Sequence, residues 1–142
     1  MPLFFFCLLM LSCDEKECCV FKEGSQALTG TWLLYEYGYS PGAGYITENV
    51  SPLPPQTLTL KENGEMTSTI EGLKNYKFYL ILEDTLSSSN VLAVFEQAPS
   101  NPDLPLSEVK HGYNFSLLED NRLRLNFRFC IEGCHLGLKK ID

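Results

Sequence analysis

Basic residues are scarce in this chain. Eleven Lys and Arg stand against 18 Asp and Glu, giving a formal net charge of −7 and an isoelectric point near 4.8. An acidic surface repels phosphate backbones, which argues against nucleic acid as a partner. Histidine is scarcer still, with only His111 and His135. No Ser-His-Asp or Cys-His set can be assembled with any specificity, and there is no Gly-rich phosphate loop. The cysteines lack Cys-x-x-Cys spacing, and no His-x-x-x-His pair exists. Neither catalysis, a cofactor nor a metal is therefore expected. No apolar run approaches the roughly 20 residues of a membrane-spanning helix. Amphipathic helices of useful length and internal repeats are also missing. The 142 residues fit one domain.

What is present begins at the N-terminus. Leu3 to Leu11 is unbroken apolar sequence, followed by the small Ser12, then Cys13, then the charged Asp14, Glu15, Lys16 and Glu17. The apolar stretch suits the core of a signal peptide and is too short to cross a bilayer. Leu9-Met10-Leu11-Ser12-Cys13 resembles the lipobox of bacterial lipoproteins. That resemblance implies a signal peptide over residues 1–12, cleavage before Cys13, and lipid on the Cys13 thiol. Residues 13–26 would then be a lipidated tether and 27–142 the folded domain. Each buried methylene of such a lipid adds about 0.8 kcal/mol to membrane attachment. The expected location is the cell envelope, at the outer membrane, facing periplasm or cell surface. The acidic run after Cys13 is similar to signals that route some gram-negative lipoproteins to the surface; a solvated linker is the other reading.

Beyond Gln26, strand signals dominate. Arg122 to Phe129 alternates without a fault, so Leu123, Leu125, Phe127 and Phe129 share one face. Thr31–Tyr39 is rich in aromatics. Gln56–Leu60 and Glu65–Ile70 flank Glu62-Asn63-Gly64, a hairpin turn signal. Tyr76–Leu82, Val91–Glu96, Tyr113–Leu118 and Leu136–Ile141 complete a set of about eight strands. A sandwich and an up-and-down barrel both accommodate them. Sequential hairpins favour the barrel, because closure removes exposed edges. The chain is thus expected to be all-β, with an eight-stranded antiparallel up-and-down barrel.

Gly30-Thr31-Trp32 at the start of the first strand resembles the Gly-x-Trp signature of lipocalins. Leu58-Thr59-Leu60, Asn63-Gly64 and Glu132-Gly133-Cys134 add a similarity to small lipocalin-like lipoproteins of gram-negative bacteria. The resemblance implies a lipocalin-like barrel with Trp32 across its closed end, where Lys139 or Lys140 offers a cation–π partner. With the start of the first strand at that end, the connections 40–55, 71–75, 97–112 and 130–134 gather at the other. The long, Pro-rich loops then surround one mouth, where barrels bind ligands.

Four cysteines remain beyond Cys13: Cys18, Cys19, Cys130 and Cys134. An even number outside the cytoplasm favours disulfides. Adjacent Cys18 and Cys19 cannot pair without strain. The expectation is that both bond to Cys130 and Cys134, which closes a long loop. The alternative pairs Cys130 with Cys134 across a three-residue turn and leaves the other two free.

Three functional readings follow. The first is a binding module, monomeric, holding a small apolar molecule, with Trp32, Leu58, Met66, Phe78, Leu123, Leu125 and Phe127 as interior candidates. The second is an interaction protein with a packed barrel, working through exposed Tyr35, Tyr37 and Tyr39. The third is an envelope redox or metal sensor, which needs reduced cysteines clustered with His135.

Overall fold

The alternating run near the C-terminus is a strand in the computed structural model, which describes residues 25–142. The expected signal peptide, nearly all of the expected tether, and Cys13, Cys18 and Cys19 lie outside the described residues. Within them the chain forms β1 Gly30–Tyr39, β2 Ile46–Asn49, β3 Thr57–Leu60, β4 Met66–Ser68 and β5 Phe78–Asp84. β6 Ser89–Phe95, β7 Gly112–Leu118, β8 Arg122–Phe127 and β9 Cys134–Lys140 follow. Two short 3₁₀ turns, Ser25–Leu28 and Leu106–Glu108, are the only helical elements among these residues.

All pairings are antiparallel, in the order β4-β3-β1-β9-β8-β7-β6-β5. The sheet is nearly closed by a Glu65–Phe78 bridge between its edges, where the Met66 N–H donates to Lys77 O at 2.8 Å and the Tyr79 N–H to Gly64 O at 2.9 Å. This is an eight-stranded up-and-down barrel of lipocalin-like type. The ninth strand, β2, stands outside the expected set. It pairs with the second half of β1, while β3 pairs with the first half.

Local chemistry fixes the hairpins. Gly64 takes a positive φ of 84°, and Asn63 Oδ1 accepts the Glu65 N–H at 3.0 Å. Asp120 and Asn121 both sit at positive φ, 60° and 55°. Asp and Asn tolerate that region better than other non-glycine residues, and the tight β7–β8 turn requires it.

One half of the barrel is filled. Trp32 is buried across its closed end, and its Nε1–H donates to Leu28 O at 2.8 Å. The Ser25–Leu28 turn thereby closes the barrel floor with Leu28 fully buried. Leu58, Leu60, Met66, Tyr79, Leu123 and Leu138 pack around the indole in one cluster. Tyr79 donates its hydroxyl to Lys61 O at 2.6 Å, which satisfies the one polar atom it brings inside.

A second cluster lies on the outer wall. Leu82, Val91, Ala93 and Val109 pack together with Leu80, Phe95, Leu104 and Leu106. The Pro-rich connection between β6 and β7 therefore folds down over the outside of β5 and β6. Both faces of those strands are covered over Phe78–Leu82 and Val91–Phe95, which accounts for these two apolar runs.

Candidate functional site

The polarity of β1 sets the other half of the barrel. From Trp32 to Leu34, even-numbered residues face inward. A β-bulge between Leu34 and Glu36 inserts Tyr35 as an extra residue opposite β9. Such a bulge reverses which residues face which side. Beyond it Tyr37 lies opposite Leu136 and Tyr39 opposite Cys134, on the inner face, while Glu36 and Gly38 turn outward opposite Gly137 and His135. A Cβ on Gly137 would meet the Tyr35 ring and the Glu36 Cβ at 3.1 Å, so the absence of a side chain there makes room for the bulge.

The mouth formed above this point is hollow. A cavity of about 830 Å³ is lined by Leu34, Tyr37, Tyr39, Val50, Ile70, Tyr76, Tyr113, Leu125, Phe127 and Leu136, with Glu48, Gln56, Glu71 and His111 among its polar members. Those residues come from the ends of β1, β2 and β8, the starts of β7 and β9, and the segments following β2 and β4. The long connections thus meet at one end, as the alternation of hairpins predicts. The volume lies within the roughly 300–1,000 Å³ of small-molecule pockets.

Polar groups are concentrated at the rim. Glu48 stands opposite Tyr37 in the β1–β2 register. It accepts the hydroxyl of Tyr37 on one oxygen and that of Tyr39 on the other, the latter at 2.9 Å. The two tyrosine rings stack with centroids 5.7 Å apart. Hydrogen bonds from Tyr37, then Tyr39, hold the Glu48 carboxyl below the ordinary carboxylate range. The same bonds to Glu48 raise both tyrosines above their ordinary value. On the far side, Tyr76 rests against His111 at 5.3 Å and Tyr113 against Phe127 at 5.4 Å. Burial, followed by the influence of Tyr76, pushes the Tyr113 hydroxyl up to about 12.

Behind Gly38 and bordering the cavity, His135 is the one buried polar side chain among the described residues, 3% exposed. Its Nε2 lies 2.7 Å from Glu36 Oε1, its Nδ1 contacts the Tyr45 hydroxyl, and the Tyr45 ring stacks on it at 5.6 Å. Arg124 approaches Nε2 at 3.4 Å. The cluster pins the loop after β1 to the barrel. Gly38 is required by space here, because a Cβ would collide with the His135 ring and the Tyr45 hydroxyl.

The seven interior candidates divide accordingly. Leu125 and Phe127 line the cavity. Trp32, Leu58, Met66 and Leu123 are inside the barrel but belong to its packed half. Phe78 is corrected: it stands opposite Phe95 on the outer face, and Tyr79 holds the inward position instead. Sequence alternation misses this because Phe78–Leu82 is apolar on both sides. Of the three tyrosines expected to be exposed, Tyr37 is so at 38% and Tyr35 and Tyr39 are half-buried; the bulge turns Tyr37 and Tyr39 to the rim of the mouth and leaves Tyr35 over Gly137. Phe129 lies beyond β8 and is half exposed.

The late cysteines take the local pairing. Cys130 and Cys134 are at bonding distance across their turn, with Cα atoms 5.8 Å apart. Each thiol forms one disulfide, so neither remains for Cys18 or Cys19, and the local Cys130–Cys134 bond replaces the crossed pairing. Among the described residues no three His, Cys, Asp or Glu side chains are grouped to hold a metal. No helix among them is long and apolar enough to cross a membrane. No family model matches the chain, and no curated protein matches it.

Proposed function

We propose that this protein is a lipid-anchored lipoprotein of the cell envelope whose lipocalin-like barrel holds a small apolar molecule at its open end. The observation that carries the binding reading is the division of the interior. The closed half is packed solid around Trp32, while the mouth keeps an 830 Å³ cavity walled by aliphatic and aromatic side chains. A concave, contiguous apolar wall left open to solvent is the usual mark of a ligand site, which a barrel serving only as a scaffold does not need. The anchoring reading rests on the resemblance of Leu9–Cys13 to a lipobox.

Native mass spectrometry of the full chain purified from a gram-negative host tests the first part. The expected spectrum contains an adduct of small-molecule mass that organic solvent removes. A spectrum of bare protein, together with no uptake of added lauryl alcohol, would sink the reading. Metabolic labelling with a fatty acid tests the second. Label on the wild-type chain and its loss in Cys13→Ser are expected; equal labelling of both places the lipid elsewhere.

A further inference from the structure

The mouth cavity has a one-sided charge. Neither Lys nor Arg is among its lining residues, whereas Glu48 and Glu71 both are. Glu71 is paired with Lys74 at 2.8 Å. Glu48 has no ion pair among the described residues; its two oxygens are met by the tyrosine hydroxyls of Tyr37 and Tyr39. The two lining histidines are both engaged, His111 against the Tyr76 ring and His135 with Glu36 and Tyr45.

A hydroxyl donor lessens the basicity of a carboxylate without cancelling its charge. Glu48 is therefore a fixed negative charge beside two stacked aromatic rings, at the border of an apolar hollow. The carboxylate attracts a cation directly, and the two hydroxyl oxygens beside it are free to accept from an ammonium. A ligand carboxylate placed there would meet Glu48 with no cationic side chain in the lining to balance it. Resting on the reading of the cavity as a ligand site, we infer that its ligand is an amphiphile with a cationic head. The ammonium group would lie at Glu48 beside Tyr37 and Tyr39, and the apolar body would run inward along Leu34, Ile70, Phe127 and Leu136.

Titration calorimetry of the full chain with laurylamine, lauryl alcohol and laurate at neutral pH tests this, because the three probes share one alkyl chain. The amine is expected to bind at least about tenfold more tightly than laurate, with the alcohol between them. Glu48→Gln keeps the shape and one acceptor oxygen, so one tyrosine hydroxyl still donates while the other turns to accept from the amide NH2, and it is expected to bring the amine to the level of the alcohol. That variant separates Glu48 from the general attraction of an acidic protein for cations. Laurate binding as tightly as the amine, or a preference for the amine unchanged in Glu48→Gln, overturns the head-group assignment and leaves the cavity reading standing. Failure of all three probes to bind overturns the cavity reading and this inference with it.

Discussion

Lys140 holds its ammonium 5.6 Å from the centre of the Trp32 ring, directly across the β1–β9 register. The pair seals the closed end between the barrel floor and solvent. Cation–π contacts of this kind contribute about 0.5–1 kcal/mol at partly exposed sites. Lys140→Met, which keeps the aliphatic length, should lower the unfolding free energy by about that amount. Trp32→Ala removes the central side chain of the packed half and should cost about 3–5 kcal/mol. Trp32 is the only tryptophan, so its fluorescence reports urea unfolding of the Lys140 variant without added dye. Circular dichroism serves for the Trp32 variant.

The two halves of the interior should answer oppositely to added bulk. Leu136 lines the cavity and is half-buried, whereas Leu123 is fully buried beside Trp32. Leu136→Trp is expected to occupy the hollow, abolish lauryl alcohol binding, and change stability by less than about 1 kcal/mol. Leu123→Trp forces extra atoms into a closed space and should cost about 1–3 kcal/mol or more. Equal destabilisation by both would mean that the mouth is as full as the floor.

Alkaline stability should depend on Tyr113. Its hydroxyl is raised from 10.0 to about 12, chiefly by burial. The folded value exceeds the unfolded one, so the fold favours the neutral phenol. This contribution is complete below about pH 10 and is lost as pH rises toward 12. Its size is on the order of 2 kcal/mol. Tyr113→Phe has no proton to lose, so its urea midpoint should decline less over that window. Tyr37, Tyr39 and Tyr76, also raised, supply the slope that remains. An identical decline in Tyr113→Phe and wild type would show that the buried hydroxyl is not the group responsible.

Much of the barrel is legible in the chain because its signals are local. The alternation from Leu123 to Phe127 needs only one dry face, and Asn63-Gly64 and Asp120-Asn121 state their turns directly. Hairpin counting then places the long loops at one mouth, and Gly30-Thr31-Trp32 places the floor. What stays hidden depends on partners distant in sequence. The bulge at Tyr35 leaves no mark in a run of aromatics, yet it decides that Tyr37 and Tyr39 meet Glu48 at the rim of the mouth. The facing of Phe78 and Tyr79 is masked because Leu104, Leu106 and Val109 dry the outer wall. β2 hides in a Pro- and Gly-rich stretch with exposed residues throughout, and it is recognisable only as an addition to β1.

The disulfide offers a final test that needs no functional assay. Arg128 and Lys139 bracket both late cysteines, so trypsin releases Cys130 and Cys134 in one peptide. With the local bond, that peptide from unreduced protein should run two hydrogens lighter than its reduced form and carry no second chain. A crossed arrangement would instead link it to the peptide containing Cys18 and Cys19. The energetics separate the two as well. Closing the short 130–134 loop stabilises by about 2 kcal/mol in the chain-entropy model, against roughly 4–5 kcal/mol for the long crossed loop. The Cys130→Ser, Cys134→Ser double variant should therefore lose about 2 kcal/mol in urea unfolding and keep the β-rich circular dichroism of the barrel. A loss near the larger figure, joined to a two-chain tryptic product, would restore the crossed pairing.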